Sequence, residues 1–461
     1  KPGGETEYAH GKSFRVGSRE SPGGAGAPGE DCVTRWEHVV KRPAFTRTSP
    51  TLHRCPRTRR DSLAVRVTTL LPALVGAIVL ALAAPARAVI TPAHLIDGPS
   101  ADLVDVGGVA MSSDGSGGVV YRKRVDGRTH VFAAQFVDGA WRPPQRIDAG
   151  QRFDSSWPVI GAGDDGRLLV AWVQEFGDVD RVFSAGLQPG ARRFEPPIPV
   201  DLNVGDSALG TYPSLSMNPG GQAYLTYRVV TDAAPATAPP GFVSGEVRLM
   251  RFNGQLWSSF GSTMNRNAAA PQSTPTALNR PRVATDVQGN AVVAWQEADD
   301  EFIDRIYARR VFGLTTGIPL QVSPSTLNDR PVRAGADAFD LDVSGFGQAA
   351  VAYRQQPSSG GPFPGPRLLV AEMPEVFAPE ARTFRAPRPA DGAADGALAD
   401  PPGAPSVAVS EGSVLTGFGM GGTAVAGGGD VDGDGVVDGS GPGVERGAVV
   451  DQGAGGGIVG C

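Results

Sequence analysis

GSGGVVY from Gly115 to Tyr121, GRLLVAW from Gly166 to Trp172 and GQAYLTY from Gly221 to Tyr227 are three copies of one short pattern. A glycine is followed by five mostly small or β-branched residues and then an aromatic. The pattern returns as GNAVVAW (Gly289 to Trp295), GQAAVAY (Gly347 to Tyr353) and GSVLTGF (Gly412 to Phe418). A seventh copy, GGGIVGC from Gly455 to Cys461, ends the sequence. The terminal positions of successive copies are 51, 55, 68, 58, 65 and 43 residues apart. A recurrence of this length marks a repeat architecture in which each copy builds one supersecondary unit.

The flanks of each copy say what that unit is. Ahead of the glycine lies a short apolar segment and a turn pair, such as Asp114-Gly115 or Asp165-Gly166. Glycine there supplies the positive φ that a tight hairpin needs. After the aromatic comes a polar loop and then a third apolar segment: HVFAAQF from His130, RVFSAGL from Arg181, EVRLMRF from Glu246, RIYARRV from Arg305, RLLVAEM from Arg367. A second turn (Asp138-Gly139, Pro189-Gly190, Asn253-Gly254) leads into a segment containing proline, as in WRPPQRID and FEPPIPVD. Proline cannot donate to a ladder, so that last segment is expected at the sheet edge.

Each unit therefore reads as a four-stranded antiparallel meander, and the fold class as all-β. It resembles a β-propeller blade, and the resemblance covers residues 89–461. It implies six repeats plus a truncated seventh, with the aromatic ending each second strand packed between adjacent blades. A sandwich lacks such a period, and a solenoid of short β repeats has a period of roughly 20–30 residues. Leu95-Ile96-Asp97 matches Arg146-Ile147-Asp148, and each isoleucine precedes the next apolar strand residue, Val109 or Ile160, by 13 positions. The first segment is thus expected to be the outer strand of a blade formed at the far end of the chain, which would close the ring and pair an open edge. The seventh copy stops inside its second strand, so the sequence reads as a fragment of a longer chain.

Residues 1–64 show no sustained period and read as disordered or as a non-native leader. Residues 65–88, VRVTTLLPALVGAIVLALAAPARA, have a basic start at Arg66, an apolar run from Leu70 to Ala84 and a small-x-small end at Ala86–Ala88. These are the three parts of a secretory signal peptide. The apolar run is short for a membrane span of ~20 residues. The expected product is secreted or held at the cell surface, with no stable membrane insertion.

Composition narrows the function. Beyond Ala88 there are 28 basic and 41 acidic residues, a net charge of −13. That disfavours nucleic acid as a partner. Cys32, Cys55 and Cys461 are the three cysteines, too few for a disulfide scaffold or a Cys-based zinc module. His94 and His130 are the histidines after residue 88, and no nucleophile elbow of the form G-x-S-x-G occurs. The S-x-D-x-G-x-x-W box of sialidases is not matched, because VATDVQGNAVVAW sets Asp286 and Gly289 three apart and Trp295 too late.

Two acidic features remain. The loops expected on one face carry Glu175, Asp178, Asp180, Glu297, Asp299, Asp300, Glu301 and Asp304, with Asp201, Asp206, Asp329 and Arg330 in the blade-joining loops. Those carboxylates read either as an acidic rim or as solvated loops. Proline- and glycine-rich insertions follow at Val229–Gly245 and Gln355–Pro366.

The second feature is GGDVDGDGVVDGSG. Asp430, Asp432 and Asp434 stand at positions 1, 3 and 5 of a calcium loop, Gly435 at 6 and Asp438 at 9. Position 12 is Gly441, where an EF-hand has a bidentate Glu. The segment resembles the calcium loops of FG-GAP and dockerin-like repeats, which implies calcium as the cofactor. The sequence reading is thus a secreted bacterial β-propeller, non-enzymatic, binding an extracellular carbohydrate or protein through its loop face. A sialidase-like glycoside hydrolase and a purely structural cell-surface spacer are the alternatives.

Overall fold

The computed structural model describes residues 94–428, apart from 151–152, 177–178, 202–211, 232–242, 268–271, 274–278, 379–382, 391–403, 411–412 and 421–422. The chain divides into two units between Ala88 and Val89, and every described residue belongs to the second. The leader, the signal segment and the Asp430–Asp438 loop lie outside the described residues.

Among the described residues there is no α-helix, and none is therefore long and apolar enough to cross a membrane. Among the described residues, six antiparallel sheets of three or more strands follow one another along the chain, with a two-stranded hairpin, Thr326–Leu327 and Arg330–Pro331, between the fourth and fifth. The first comprises Leu103–Met111, Gly117–Val125 and Arg128–Val137, with Ala140–Trp141 and Gln145–Arg146 outside them. The second comprises Ser155–Gly163, Arg167–Phe176, Val179–Leu187 and Ile198–Pro199. The third is built on Ser214–Met217, Ala223–Thr231 and Val243–Phe252, the fourth on Arg282–Thr285, Asn290–Ala298 and Asp304–Phe312, and the fifth on Ala336–Val343, Ala349–Gln355 and Arg367–Met373. The sixth shows Ser406–Ser410, Ser413–Met420 and Thr423–Gly428.

The strand order matches the sequence reading: the segment before the glycine comes first, the glycine-to-aromatic segment second, and the last segment lies at the edge, bearing proline in the first, second, fourth and fifth sheets. The repeat glycines Gly115, Gly166, Gly221, Gly289 and Gly347 all have positive φ, from 70° to 88°. That is the conformation a turn into the second strand requires, and it is open to glycine at little cost. The outer strands are shorter than the alternation suggests. In the first sheet Pro143 and Pro144 interrupt the edge, leaving two-residue fragments on either side. Each proline removes a donor, so the ladder restarts beyond it.

The inner strand of each sheet packs beside the inner strand of the next, from the first through the sixth. Polar side chains help seat them. Ser214 Oγ and Ser216 Oγ of the third sheet accept the N–H groups of Val283 and Thr285 in the fourth, at 3.2 and 3.1 Å. Asp340 and Asp342 of the fifth do the same for Val407 and Val409 in the sixth, at 3.1 and 2.7 Å. Burial raises the Asp342 carboxyl to about 6.

The repeat aromatics fill the spaces between sheets, as expected. Trp172, Tyr227, Trp295 and Tyr353 are each at most 1% exposed. Trp172 of the second sheet shares a buried cluster with Val120, Val131 and Ala133 of the first. Tyr227 shares a buried cluster with Ala171 and Val182, Trp295 with Val247 and Leu249, and Tyr353 with Val292 and Ile306. Each aromatic thus seals the joint with the preceding sheet. Small residues on the facing second strands leave room for the rings.

A polar latch recurs at the end of the outer strand. Asp148, Asp201, Asn265 and Ser323 accept the backbone N–H of Val131, Val182, Val247 and Ile306, at 3.2, 3.0, 2.7 and 2.8 Å. The residue before each latch donates its own N–H to the carbonyl of the same partner, at 2.8–3.0 Å. These third-strand residues are fully buried. Buried amides are satisfied as a rule, so the side-chain acceptor replaces a ladder bond that the ending strand no longer supplies. Asp97 occupies the same place in the sequence pattern, but it accepts from Tyr121 Oη at 2.6 Å and Lys123 Nζ at 3.0 Å instead.

Candidate functional site

The face that carries the turns between second and third strands also carries the entries to the inner strands. Ser155, the first residue of the second sheet's inner strand, is the register partner of Gln174, close to the end of that sheet's second strand. Just beyond it the register slips between Ser156 and Val159, a bulge that places Trp157 and Pro158 out of the ladder. Bulges of this kind re-aim a side chain.

Trp157 is held at φ 50° and is 41% exposed. A bulky residue in the left-handed region is an outlier, and such strain concentrates at functional positions. The indole meets the ring of Tyr212, which leads into the inner strand of the third sheet, at 5.0 Å between centroids and 77° between planes. The two aromatics therefore form an edge-to-face pair across the entries of two neighbouring inner strands. The first sheet closes up against this pair from the other side. A Cβ on Gly107 would come within 2.4 Å of the Pro158 carbonyl oxygen, so glycine alone admits the approach.

Beside the pair, Arg122 makes a two-pronged ion pair with Asp105 across the first and second strands of the first sheet. Its Nη1 also reaches the Ser155 carbonyl at 3.5 Å. The hydrogen bonds that Arg122 donates to the Asp105 carboxylate raise its pKa. Arg354 and Asp337 repeat the arrangement in the fifth sheet, with contacts of 2.8 and 2.9 Å. The face thus offers a partly exposed aromatic pair next to charged groups held in ion pairs.

The acidic residues named from the sequence do not converge into one rim. Glu297 is buried, and its carboxylate receives Trp295 Nε1 (2.7 Å), the Arg266 N–H (2.7 Å), the Asn267 N–H (2.8 Å) and Asn265 Nδ2 (3.3 Å). Asp299 closes its own turn by accepting the N–H groups of Glu301 and Ile303 and Arg305 Nε, at 2.9–3.0 Å. Asp300 is exposed and paired with Arg266. Asp201 is a latch, and burial raises its pKa, as it does that of Asp180. Asp329 and Arg330 lie at a small hairpin between the fourth and fifth sheets, with Asn328 and Asp329 both at positive φ. Glu175 and Glu301 are exposed. Asp178 and Asp206 lie outside the described residues, as do Asp430, Asp432, Asp434 and Asp438. Among the described residues no group of three or more His, Cys, Asp or Glu side chains is arranged to hold a metal ion.

A histidine, an aspartate and a serine do meet, in an arrangement the sequence did not suggest. His130 Nδ1 lies 3.0 Å from Asp148 Oδ2, and Ser155 Oγ lies 2.6 Å from the same oxygen. The serine contacts the carboxylate rather than the imidazole, and His130 is 4% exposed. A nucleophilic triad needs the hydroxyl against the imidazole, so this cluster fastens the first latch to the second sheet.

Trp157 and Tyr212 were not singled out by sequence. Their one signal is an aromatic just before a proline near the start of an inner strand, Trp157-Pro158 and Tyr212-Pro213.

No protein-family model matches the chain, and no curated protein does. Solved structures do resemble it. A protein of unknown function from Dyadobacter fermentans is 13% identical, with a TM-score of 0.41 over 71% of this chain and 94% of its own. A Hadza microbial sialidase is 12% identical, with a TM-score of 0.40 over 70% of this chain and 64% of its own. A polysaccharide lyase, an ulvan lyase, is 11% identical, with a TM-score of 0.41 over 68% of this chain and 78% of its own.

Proposed function

We propose that the chain is a secreted, non-enzymatic β-propeller of six repeats followed by a seventh, and that its loop face binds an extracellular carbohydrate through Trp157 and Tyr212. The observation that carries this reading is the exposed indole of Trp157, kept in a strained backbone conformation beside a second ring. Aromatic faces offer apolar area at low entropic cost, and a small number of nearby polar groups then set orientation. Arg122 and Asp105 are such groups. Glu297, Asp299 and Asp201 are engaged in hydrogen bonds within the chain, so the reading rests on the aromatic pair rather than on these carboxylates.

The test is a glycan array probed with residues 89–461, with the bound sugars analysed afterwards by mass spectrometry. Retention of an intact glycan is the expected result. Cleavage of the retained sugar would replace this reading with a hydrolase, and silence across the array would leave a protein partner or a spacer.

Calcium at Asp430, Asp432, Asp434 and Asp438 is a second part of the proposal, and it rests on residue spacing. Without a bidentate Glu the affinity is expected in the extracellular range, roughly 10⁻⁴ to 10⁻³ M. Ligand that binds the folded form alone stabilises it by RT ln(1 + [L]/Kd). Millimolar calcium should therefore slow proteolysis at 430–438, and Asp432→Ala with Asp434→Ala should remove the difference. Equal cleavage with calcium and with chelator would reduce the segment to an acidic turn.

A further inference from the structure

The outer edges of the first and second sheets run side by side and enclose a groove of about 1020 Å³, well away from the loop-face aromatics in the strand order. Four arginines line it: Arg142, Arg146, Arg192 and Arg193. One lining carboxylate, Glu195, opposes them. With Arg146 paired to Asp148, the groove still carries more positive than negative charge, in a unit whose net charge is −13. Its two walls are tied together. Arg142 Nη1 donates to the Ala191 carbonyl at 3.0 Å and Gln145 Nε2 to the Arg192 carbonyl at 2.8 Å, while the Phe194 N–H reaches Gln145 Oε1 at 3.4 Å. Arg146 is engaged with Asp148. Arg192 and Arg193 are exposed, with their charge open to solvent.

We propose that this groove binds a linear polysaccharide bearing repeated carboxylates, a polyuronate, and that Arg192 and Arg193 supply its principal anion contacts. Guanidinium groups match carboxylates in two-pronged geometry, as Arg122–Asp105 and Arg354–Asp337 do within this chain. A polymer with one carboxylate per sugar presents successive anions along such a groove. The walls also argue against a peptide. Pro143 and Pro144 on one side and Pro196 and Pro197 on the other line the groove. Prolines have no N–H, so neither wall can take an added strand along its length. A sugar chain needs no backbone ladder, and the pyrrolidine rings give it apolar surface to lie on. This site is separate from the loop face, and it stands or falls on its own.

The experiment is a titration of residues 89–461 with oligogalacturonate at low salt, alongside dextran, dextran sulfate and poly-glutamate. Saturable binding of oligogalacturonate is expected, with none for dextran and weaker binding for the other two polyanions. Affinity should fall roughly tenfold between 50 and 200 mM salt, because exposed charges are screened. Arg192→Ala with Arg193→Ala should weaken binding by roughly tenfold or more. Both side chains are on the surface, so the melting temperature should hold. Trp157→Ala should leave this binding unchanged, which separates it from the loop-face reading. No oligogalacturonate binding, or binding insensitive to the double substitution, would overturn the proposal. Equal or tighter binding of poly-glutamate or dextran sulfate would overturn it as well, by making the groove a site for acidic peptides or sulfated polymers.

Discussion

Replacing Trp295 with alanine should lower the unfolding free energy by about 4 kcal/mol, within the range for a large aromatic removed from a core. Trp295 is 0% exposed and is part of the joint between the third and fourth sheets. Its ring stacks on Tyr307 at 6.1 Å and its Nε1 donates to Glu297. Alanine would leave a cavity that the flanking strands cannot collapse into, because both are fixed in the ladder by their neighbours. It would also take a donor from a buried carboxylate. Trp295→Phe, which keeps most of the ring volume and loses the donor, should cost less, roughly 1–2 kcal/mol. Urea unfolding curves for the two variants decide the matter. Equal midpoints for wild type and Trp295→Ala would mean that the aromatic does not seal the joint.

Glu297→Ala should come next, at about 3 kcal/mol, since removing one partner strands buried groups that have lost their water. Four donors are affected: the Trp295 ring N–H, the Arg266 and Asn267 amides and the Asn265 side chain. The carboxylate also lies in the field of Arg228, Arg266 and Arg309. Glu297→Gln keeps an acceptor but turns an NH2 group toward donors, so it should fall between wild type and alanine. Because Trp295 and Glu297 touch, the double variant should be less destabilised than the sum of the singles. Strict additivity would argue that Glu297 acts independently of the ring. A Glu297→Ala protein as stable as wild type would return this residue to the solvated rim.

These two residues also show what the sequence could and could not convey. The glycine and the aromatic of each repeat are local signals: a positive φ at a turn and a large ring in a run of small residues. Both survive into the fold unchanged, which is why strand order was legible throughout. Glu297 was misplaced because QEADDEFID looks like one acidic loop. The second strand continues to Ala298, however, and residues two apart on a strand share a face. Glu297 is thereby carried under the sheet with Trp295. Gln174 stands in the same relation to Trp172, with its Oε1 3.4 Å from the indole nitrogen. The Arg146-Ile147-Asp148 motif was visible as a repeat, but its work as an acceptor for a third-strand amide depends on where the outer strand ends.

The candidate sites were harder to read, for a physical reason. Trp157 owes its exposure to a register slip, and nothing in the alternation of residues announces a slip. Tyr212 lies 55 positions away and comes near only because the second and third inner strands are neighbours. The groove arginines are likewise split between WRPPQR and RRFEPP, two edge segments about 50 residues apart in sequence. Each arginine alone resembles an ordinary surface charge. Their convergence is a property of the packing of successive sheets.

The central claim is that the loop face recognises a sugar through the Trp157–Tyr212 pair. It is tested most directly by the affinity of wild type and Trp157→Ala for a glycan retained on the array, measured by calorimetry at matched folding stability. Loss of one stacking partner should weaken binding by roughly tenfold or more, equivalent to about 1.4 kcal/mol. Equal affinities for the two proteins would contradict the account.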